Sequence, residues 1–136
     1  MGNGLSVMRI ECLKTIDSEW YVNSLEDTCM MPLTQRELNE FDLVGLFEND
    51  TSDLAGFAVY EPYDTGIYVH QLRSVVPKRG YGAALLSYLG DVALRTGKSE
   101  LNLDSPLDEN LLSYYASQGF AKISEDSYFA QLRREL

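Results

Sequence analysis

Residues 75–86 read Val75-Val76-Pro77-Lys78-Arg79-Gly80-Tyr81-Gly82-Ala83-Ala84-Leu85-Leu86, VVPKRGYGAALL. A β-like run stops at the proline. Two basic residues follow, then two glycines one residue apart, then a strongly helical pattern. Glycine near a helix start costs backbone entropy, so two of them there need a reason. A strand, a glycine-rich turn and a helix start together form an anion site in principle. The first N–H groups of the helix are unpaired and point outward, and the helix dipole favours negative charge there. Lys78 and Arg79 add positive charge at the same place.

The flanking chain supplies the elements around this turn. Met8–Leu13 reads as a first strand. Asp17 or Ser18 caps a helix carrying Trp20, Val22, Leu25 and Cys29, broken by Pro32. Thr34-Gln35-Arg36-Glu37 is a capping box, with Leu33 and Leu38 as its hydrophobic staple, and this second helix ends near Phe41. Leu43–Glu48, Leu54–Tyr60 and Ile67–Val76 read as three strands of an antiparallel meander, with turns at 48–53 and 61–66. A helix from Gly80 to Arg95 carries Leu85, Leu86, Leu89, Ala93 and Leu94 on a broad apolar face, with Gly97 as its stop. Leu101–Leu103 is a short strand. Ser105-Pro106 opens a helix with serine as cap and proline at the first helical position; it carries Leu107, Leu111, Tyr114 and Tyr115 and stops at Gly119. Phe120–Ile123 and Ser127–Leu132 close the sheet. The order is β-α-α-β-β-β-α-β-α-β-(β), an α+β fold in one domain spanning 1–136.

Bulk properties narrow the function classes. The chain has 136 residues, 45% of them apolar, enough for a real core. No apolar run reaches the ~20 residues of a membrane span, and no basic region followed by an apolar one marks a secretory signal. Met1-Gly2…Ser6 fits the myristoylation pattern, but no basic patch follows, and a chance match is the expected reading. Cys12 and Cys29 are the only cysteines and form no CxxC, which fits reduced thiols and a cytoplasmic protein. His70 is the single histidine, so no His/Cys cluster suggests zinc. Residues 1–66 hold 13 acidic and 3 basic residues, while 67–136 hold 8 of each. All of the net charge of −10 therefore sits in the first half. That field opposes nucleic acid and attracts a cationic partner.

Three phosphate-binding patterns compete for the glycine turn. The dinucleotide pattern G-x-G-x-x-G fails because Leu85 holds the third glycine's place. Gly97-Lys98-Ser99 imitates the end of a Walker A loop, but Val92 stands where its first glycine is required. The pattern R-x-x-G-x-A is met by Arg79, Gly82 and Ala84. Here the chain resembles the GCN5-related N-acetyltransferase (GNAT) superfamily, whose acetyl-CoA motif follows the fourth strand and opens the third helix. A second segment, Tyr115-Ala116-Ser117-Gln118-Gly119-Phe120, is similar to the family's Tyr-x-x-x-Gly-Phe. The resemblance covers essentially the whole chain and implies the GNAT fold, a mixed, mostly antiparallel sheet flanked by helices.

The resemblance also implies a set of roles. Acetyl-CoA would be the acyl donor, with no metal. Its diphosphate would rest on the backbone of Arg79, Gly80, Tyr81, Gly82, Ala83 and Ala84, with Lys78 in reach. Its pantetheine arm would pair with the strand at Leu72, Ser74 and Val75, where an N–H would polarise the thioester carbonyl. Tyr115 would bind near the thiol and act as general acid, with Tyr114 as the adjacent alternative. The base is open: Gly66–Tyr68, where some relatives carry a glutamate, holds no carboxylate, and Glu61, Asp64, His70 or a water chain are the candidates. Two departures stand out. One residue, Lys78, separates Pro77 from Arg79 where the family commonly has two, and Asp108 replaces an asparagine seven residues before the tyrosine.

The expected acceptor is a cationic primary amine, small or on a protein, drawn by Glu19, Glu26, Asp27, Glu37 and Glu40 on or beside the first two helices. The expected partners are acetyl-CoA and this amine, without nucleic acid or membrane, on a monomer or homodimer. The alternative is a GNAT-fold module that binds acyl-CoA or a protein without turnover.

Overall fold

A computed structural model describes residues 8–28, 30–48 and 52–136. Gly2, Ser6, Cys29 and the middle of the 48–53 turn lie outside the described residues. The elements are β1 (Met8–Leu13), α1 (Ser18–Ser24), α2 (Gln35–Glu40), β2 (Asp42–Glu48), β3 (Leu54–Pro62), β4 (Gly66–Ser74), α3 (Tyr81–Arg95), β5 (Glu100–Pro106), α4 (Glu109–Ser117), β6 (Ala121–Glu125) and β7 (Phe129–Glu135). Among the described residues, seven strands form one mixed sheet in the order β1-β2-β3-β4-β5-β7-β6, with four helices. This is the order of elements and the fold class expected from the sequence.

The chain divides into two compact units. The first comprises the described residues up to Tyr60 together with Gln71–Leu85. In it, β1, β2 and β3 pair antiparallel. Val44, Leu46, Phe57, Ala58 and Val59 are fully buried on both pleat faces of β2 and β3, so these strands read as apolar runs rather than alternating ones. One core cluster gathers Ile16, Tyr21, Leu25, Leu38, Leu43, Phe57 and Val59, with Trp20 and Leu33 packed against it. Burying each large side chain stabilises the fold by about 1.5–3 kcal/mol. Tyr21 is 1% exposed, so its hydroxyl must find partners. It donates to Gln71 Oε1 at 2.7 Å and accepts from Leu33 N–H at 2.8 Å, while Gln71 Nε2 donates to the Met31 carbonyl. Burial pushes the Tyr21 pKa up.

Local signals in this unit act as expected, with one correction. Asp17 caps α1, accepting from Trp20 N–H at 2.9 Å. The capping box of α2 closes in both directions between Thr34 and Glu37. The helix α1 is shorter than its apolar pattern suggests. It ends at Ser24, and Leu25 and Thr28 are held by single turns on Val22 and Leu25 carbonyls.

The second unit comprises Glu61–His70 and Leu86–Leu136. Here β4 runs parallel to β5 over three pairs, Gly66↔Glu100, Ile67↔Leu101 and Tyr68↔Asn102. β5 pairs antiparallel with β7 along its whole length, and β7 with β6. Two expectations are corrected here. The fifth strand is not confined to Leu101–Leu103, and Ser105-Pro106 does not open the next helix. The ladder continues through Ser105↔Ala130 and Pro106↔Phe129, with Ser105 fully buried. Asp108 is the cap instead, its Oδ1 accepting from Asn110 and Leu111 N–H. Leu107 thus precedes α4, and the helix starts at Glu109. A local Ser-Pro signal yields here to seven residue pairs of strand ladder.

The start of β4 is closely joined to β5. A Cβ on Gly66 would lie 2.5 Å from the Glu100 carbonyl oxygen and 2.7 Å from the Tyr63 hydroxyl, so no side chain fits. Tyr63 donates to Glu100 Oε2 at 2.7 Å, Asn102 Nδ2 donates to the same carboxylate oxygen and to the Tyr63 hydroxyl, and Arg133 Nε pairs with Glu100 Oε2 at 3.2 Å. The hydrogen bond from Tyr63, then that from Asn102, hold the Glu100 pKa below the usual carboxylate range.

Candidate active site

The turn between β4 and α3 is built from backbone conformation. Val75 N–H donates to the Ala55 carbonyl at 2.9 Å, and Ser74 Oγ to the Val76 carbonyl at 2.8 Å. Pro77, Lys78, Arg79 and Gly80 then lie exposed. Lys78 has φ +59° and Gly80 φ +74°, both left-handed. The single residue between Pro77 and Arg79 thus takes a conformation that costs a non-glycine residue about 1 kcal/mol. A Cβ at Gly80 would meet nothing within 4 Å, so glycine is required there by φ and not by space. The first i→i−4 bond of α3 runs from Ala84 N–H to the Gly80 carbonyl. The N–H groups of Tyr81, Gly82 and Ala83 therefore stand at the open helix end.

The four helices differ at this end. α1, α2 and α4 carry Glu19, Glu37 and Glu109 in their first turns, while α3 carries no acidic residue there. The longest helix leaves its positive end without an intrinsic carboxylate. The nearest acid comes from another element. Glu48 Oε2 accepts the Tyr81 hydroxyl at 2.7 Å and lies 3.8 Å from Arg79 Nη1. Burial, and then the bond to Glu48, push the Tyr81 pKa up. Leu72, Ser74 and Val75 are half-buried at the end of β4 and just beyond it.

In the second unit, the structure brings two of the base candidates together. His70 Nε2 lies 3.1 Å from Glu61 Oε1. The His70 ring also meets the Tyr68 ring edge-on at 4.7 Å, and the Tyr68 hydroxyl donates to Asp104 Oδ2 at 2.7 Å. Burial is the first cause that pushes the Tyr68 pKa up. Tyr68 and Asp104 were not singled out by sequence. They meet through the parallel β4–β5 register, which no local pattern announces.

Tyr115 sits on α4, half-buried, with ring centroids 5.3 Å from Tyr114 and 5.7 Å from Phe120. Its hydroxyl makes no hydrogen bond among the described residues. Burial and then Tyr114 push its pKa up to about 12, so the phenol keeps its proton across the neutral range. The Tyr-x-x-x-Gly-Phe spacing has a folding explanation of its own. Gly119 takes φ +90°, its N–H donates to the Ala116 carbonyl, and Phe120 N–H donates to the Tyr115 carbonyl. That is the double bond pattern of a Schellman stop, with the Tyr115–Phe120 ring contact as its apolar partner.

No protein-family model matches the sequence, and no curated protein matches it. Solved structures do. The chain superposes on the ribosomal-protein-S18-alanine N-acetyltransferase from Escherichia coli with TM-score 0.78 and 16% identity, covering 95% of this chain and 94% of that one. A Bacillus subtilis acetyltransferase in complex with CoA gives TM-score 0.74 and 17% identity over 96% and 99% of the two chains. A GNAT family acetyltransferase from Elizabethkingia anophelis with acetyl-CoA bound gives 0.72 and 15% over 98% and 100%. The chain has the GNAT acetyltransferase fold.

Proposed function

We propose that this protein transfers an acetyl group from acetyl-CoA to a primary amine. The observation that carries the reading is the β4–α3 turn: two left-handed residues presenting a long helix's N-terminus that holds no acid of its own. Two proteins of the same fold hold CoA and acetyl-CoA. In this reading the diphosphate rests on the backbone from Arg79 to Ala84, with Lys78 and Arg79 as charged partners. Arg79 then exchanges part of its contact with Glu48 for phosphate. Leu72, Ser74 and Val75 line the pantetheine arm.

The chemistry forms a C–N bond and breaks the C–S bond. His70, held by Glu61, takes the amine proton and returns it to solvent, and the thiolate leaves. A phenol with pKa about 12 is a weaker acid than a thiol of about 8.5. Tyr115 therefore serves the developing thiolate as a hydrogen-bond donor that remains protonated. Of the five acids expected to draw a cationic acceptor, Glu37 is used in the capping box and Glu40 pairs with Arg36. Glu19, Glu26 and Asp27 carry that role.

A thiol-release assay across an amine panel tests the reaction. Tyr115→Phe keeps the ring packing and should lower kcat about a hundredfold at unchanged KM for acetyl-CoA. Acetyl-CoA binding by calorimetry without thiol release from any amine would favour the alternative of a non-catalytic binding module.

A further inference from the structure

Beside the C-terminal end of α1 lies a cleft of about 300 Å³, lined by Trp20, Asn23, Ser24, Asp27, Arg73 and Val75. The size falls at the lower end for small-molecule sites. Arg73 is half-buried, and its Nε donates to the Ser24 carbonyl at 2.7 Å. This satisfies a carbonyl at the end of α1 and sets a cation at the negative end of the helix. It uses one of the five guanidinium donors. Among the described residues Arg73 makes no ion pair, and neither does Asp27 on the same cleft. Opposite charges thus line one small cleft without meeting each other.

That arrangement selects by charge pattern. A polyamine would satisfy Asp27 and be repelled by Arg73. A simple carboxylate would satisfy Arg73 and be repelled by Asp27. A molecule carrying both groups satisfies both, and the Trp20 ring offers an apolar wall for its carbon skeleton.

We propose that this cleft binds an amine that also bears a carboxylate, a free amino acid, with the carboxylate on Arg73 and the ammonium on Asp27. As an assignment of the acyl acceptor it rests on the acetyl-transfer reading; as a binding site it does not. Trp20 is the only tryptophan in the chain, so its fluorescence reports occupancy of this cleft directly. The probes are non-aromatic free amino acids, their C-terminal amides, their N-acetyl derivatives and spermidine.

The expected result is a saturable fluorescence change with one or more free amino acids. Binding should be about tenfold or more weaker for the matching amide and N-acetyl compound, as expected for a lost charged hydrogen bond. Arg73→Gln should erase the preference for acid over amide, and Asp27→Asn the preference for free amine over N-acetyl. Asp27 is exposed, so that variant keeps the test open should Arg73→Gln fail to fold. The proposal is overturned if spermidine or the amides bind as well as the free acids, or if no probe gives a saturable signal at millimolar concentration. Thiol release indifferent to both substitutions would leave acetyl transfer standing and overturn the cleft as the acceptor site. Saturable binding without thiol release would do the reverse.

Discussion

β4 begins between Tyr63, Glu100, Asn102 and Arg133, with three parallel residue pairs and a glycine that has room for no side chain. Beyond its other end, after Val75 and Val76, come four exposed residues, two of them left-handed, ahead of a helix end with no acid of its own. The first end spends its polar groups on each other; the second leaves backbone donors facing outward. Changes at the start of β4 should therefore be read as lost stability. On the proposed diphosphate reading of the turn, loss of its charged side chain Arg79 should be read as lost ligand affinity.

The strongest test of that contrast is Gly66→Ala. Its Cβ would lie 2.5 Å from a main-chain oxygen, which cannot swing aside, so thermal melts should show a loss of about 3 kcal/mol. Arg79→Ala, at the other end, should raise the KM for acetyl-CoA about tenfold and leave the melting curve nearly in place. A fall in stability like that of Gly66→Ala would break the comparison. Glu100→Gln comes next, costing about 1–2 kcal/mol at pH 7 through weakened charged hydrogen bonds. The Glu100 pKa is lowered in the folded protein, so its contribution is complete above the unfolded carboxylate pKa and is lost as pH falls through the folded one. The gap between Glu100→Gln and the parent should accordingly close in acid, as urea melts across pH would record. The smallest effect is expected for Lys78→Gly. Relief of the left-handed φ and the greater freedom of the unfolded chain offset each other, leaving stability within about 0.5 kcal/mol.

Legibility from the sequence followed the range of the interactions. The α2 capping box, the Gly97 and Gly119 stops and the β4–α3 turn are all set by neighbours within a few residues and were legible, and the α1 cap was narrowed to Asp17 or Ser18. The start of α4 was misread because Ser105-Pro106 carries a true local signal. What overrides it is pairing with Ala130 and Phe129, distant in sequence. Glu61 and His70 stood among the separate base candidates because one tight turn separates their strands, and their contact is the structure's addition. Tyr68 with Asp104, Tyr63 with Glu100, and the Trp20–Asp27–Arg73 cleft each join positions more than thirty residues apart in at least one contact. No local pattern in the sequence announces those registers.

The stop of α4 divides the work at position 115 between atoms. The carbonyl of Tyr115 ends the helix, through the Phe120 N–H, while its hydroxyl has no structural partner among the described residues. Any flat ring at 115 would close the helix equally well. Selection can therefore exchange the side-chain hydroxyl at 115 over generations without first repairing the helix stop, so the chemistry proposed for this phenol and the folding of α4 are separable.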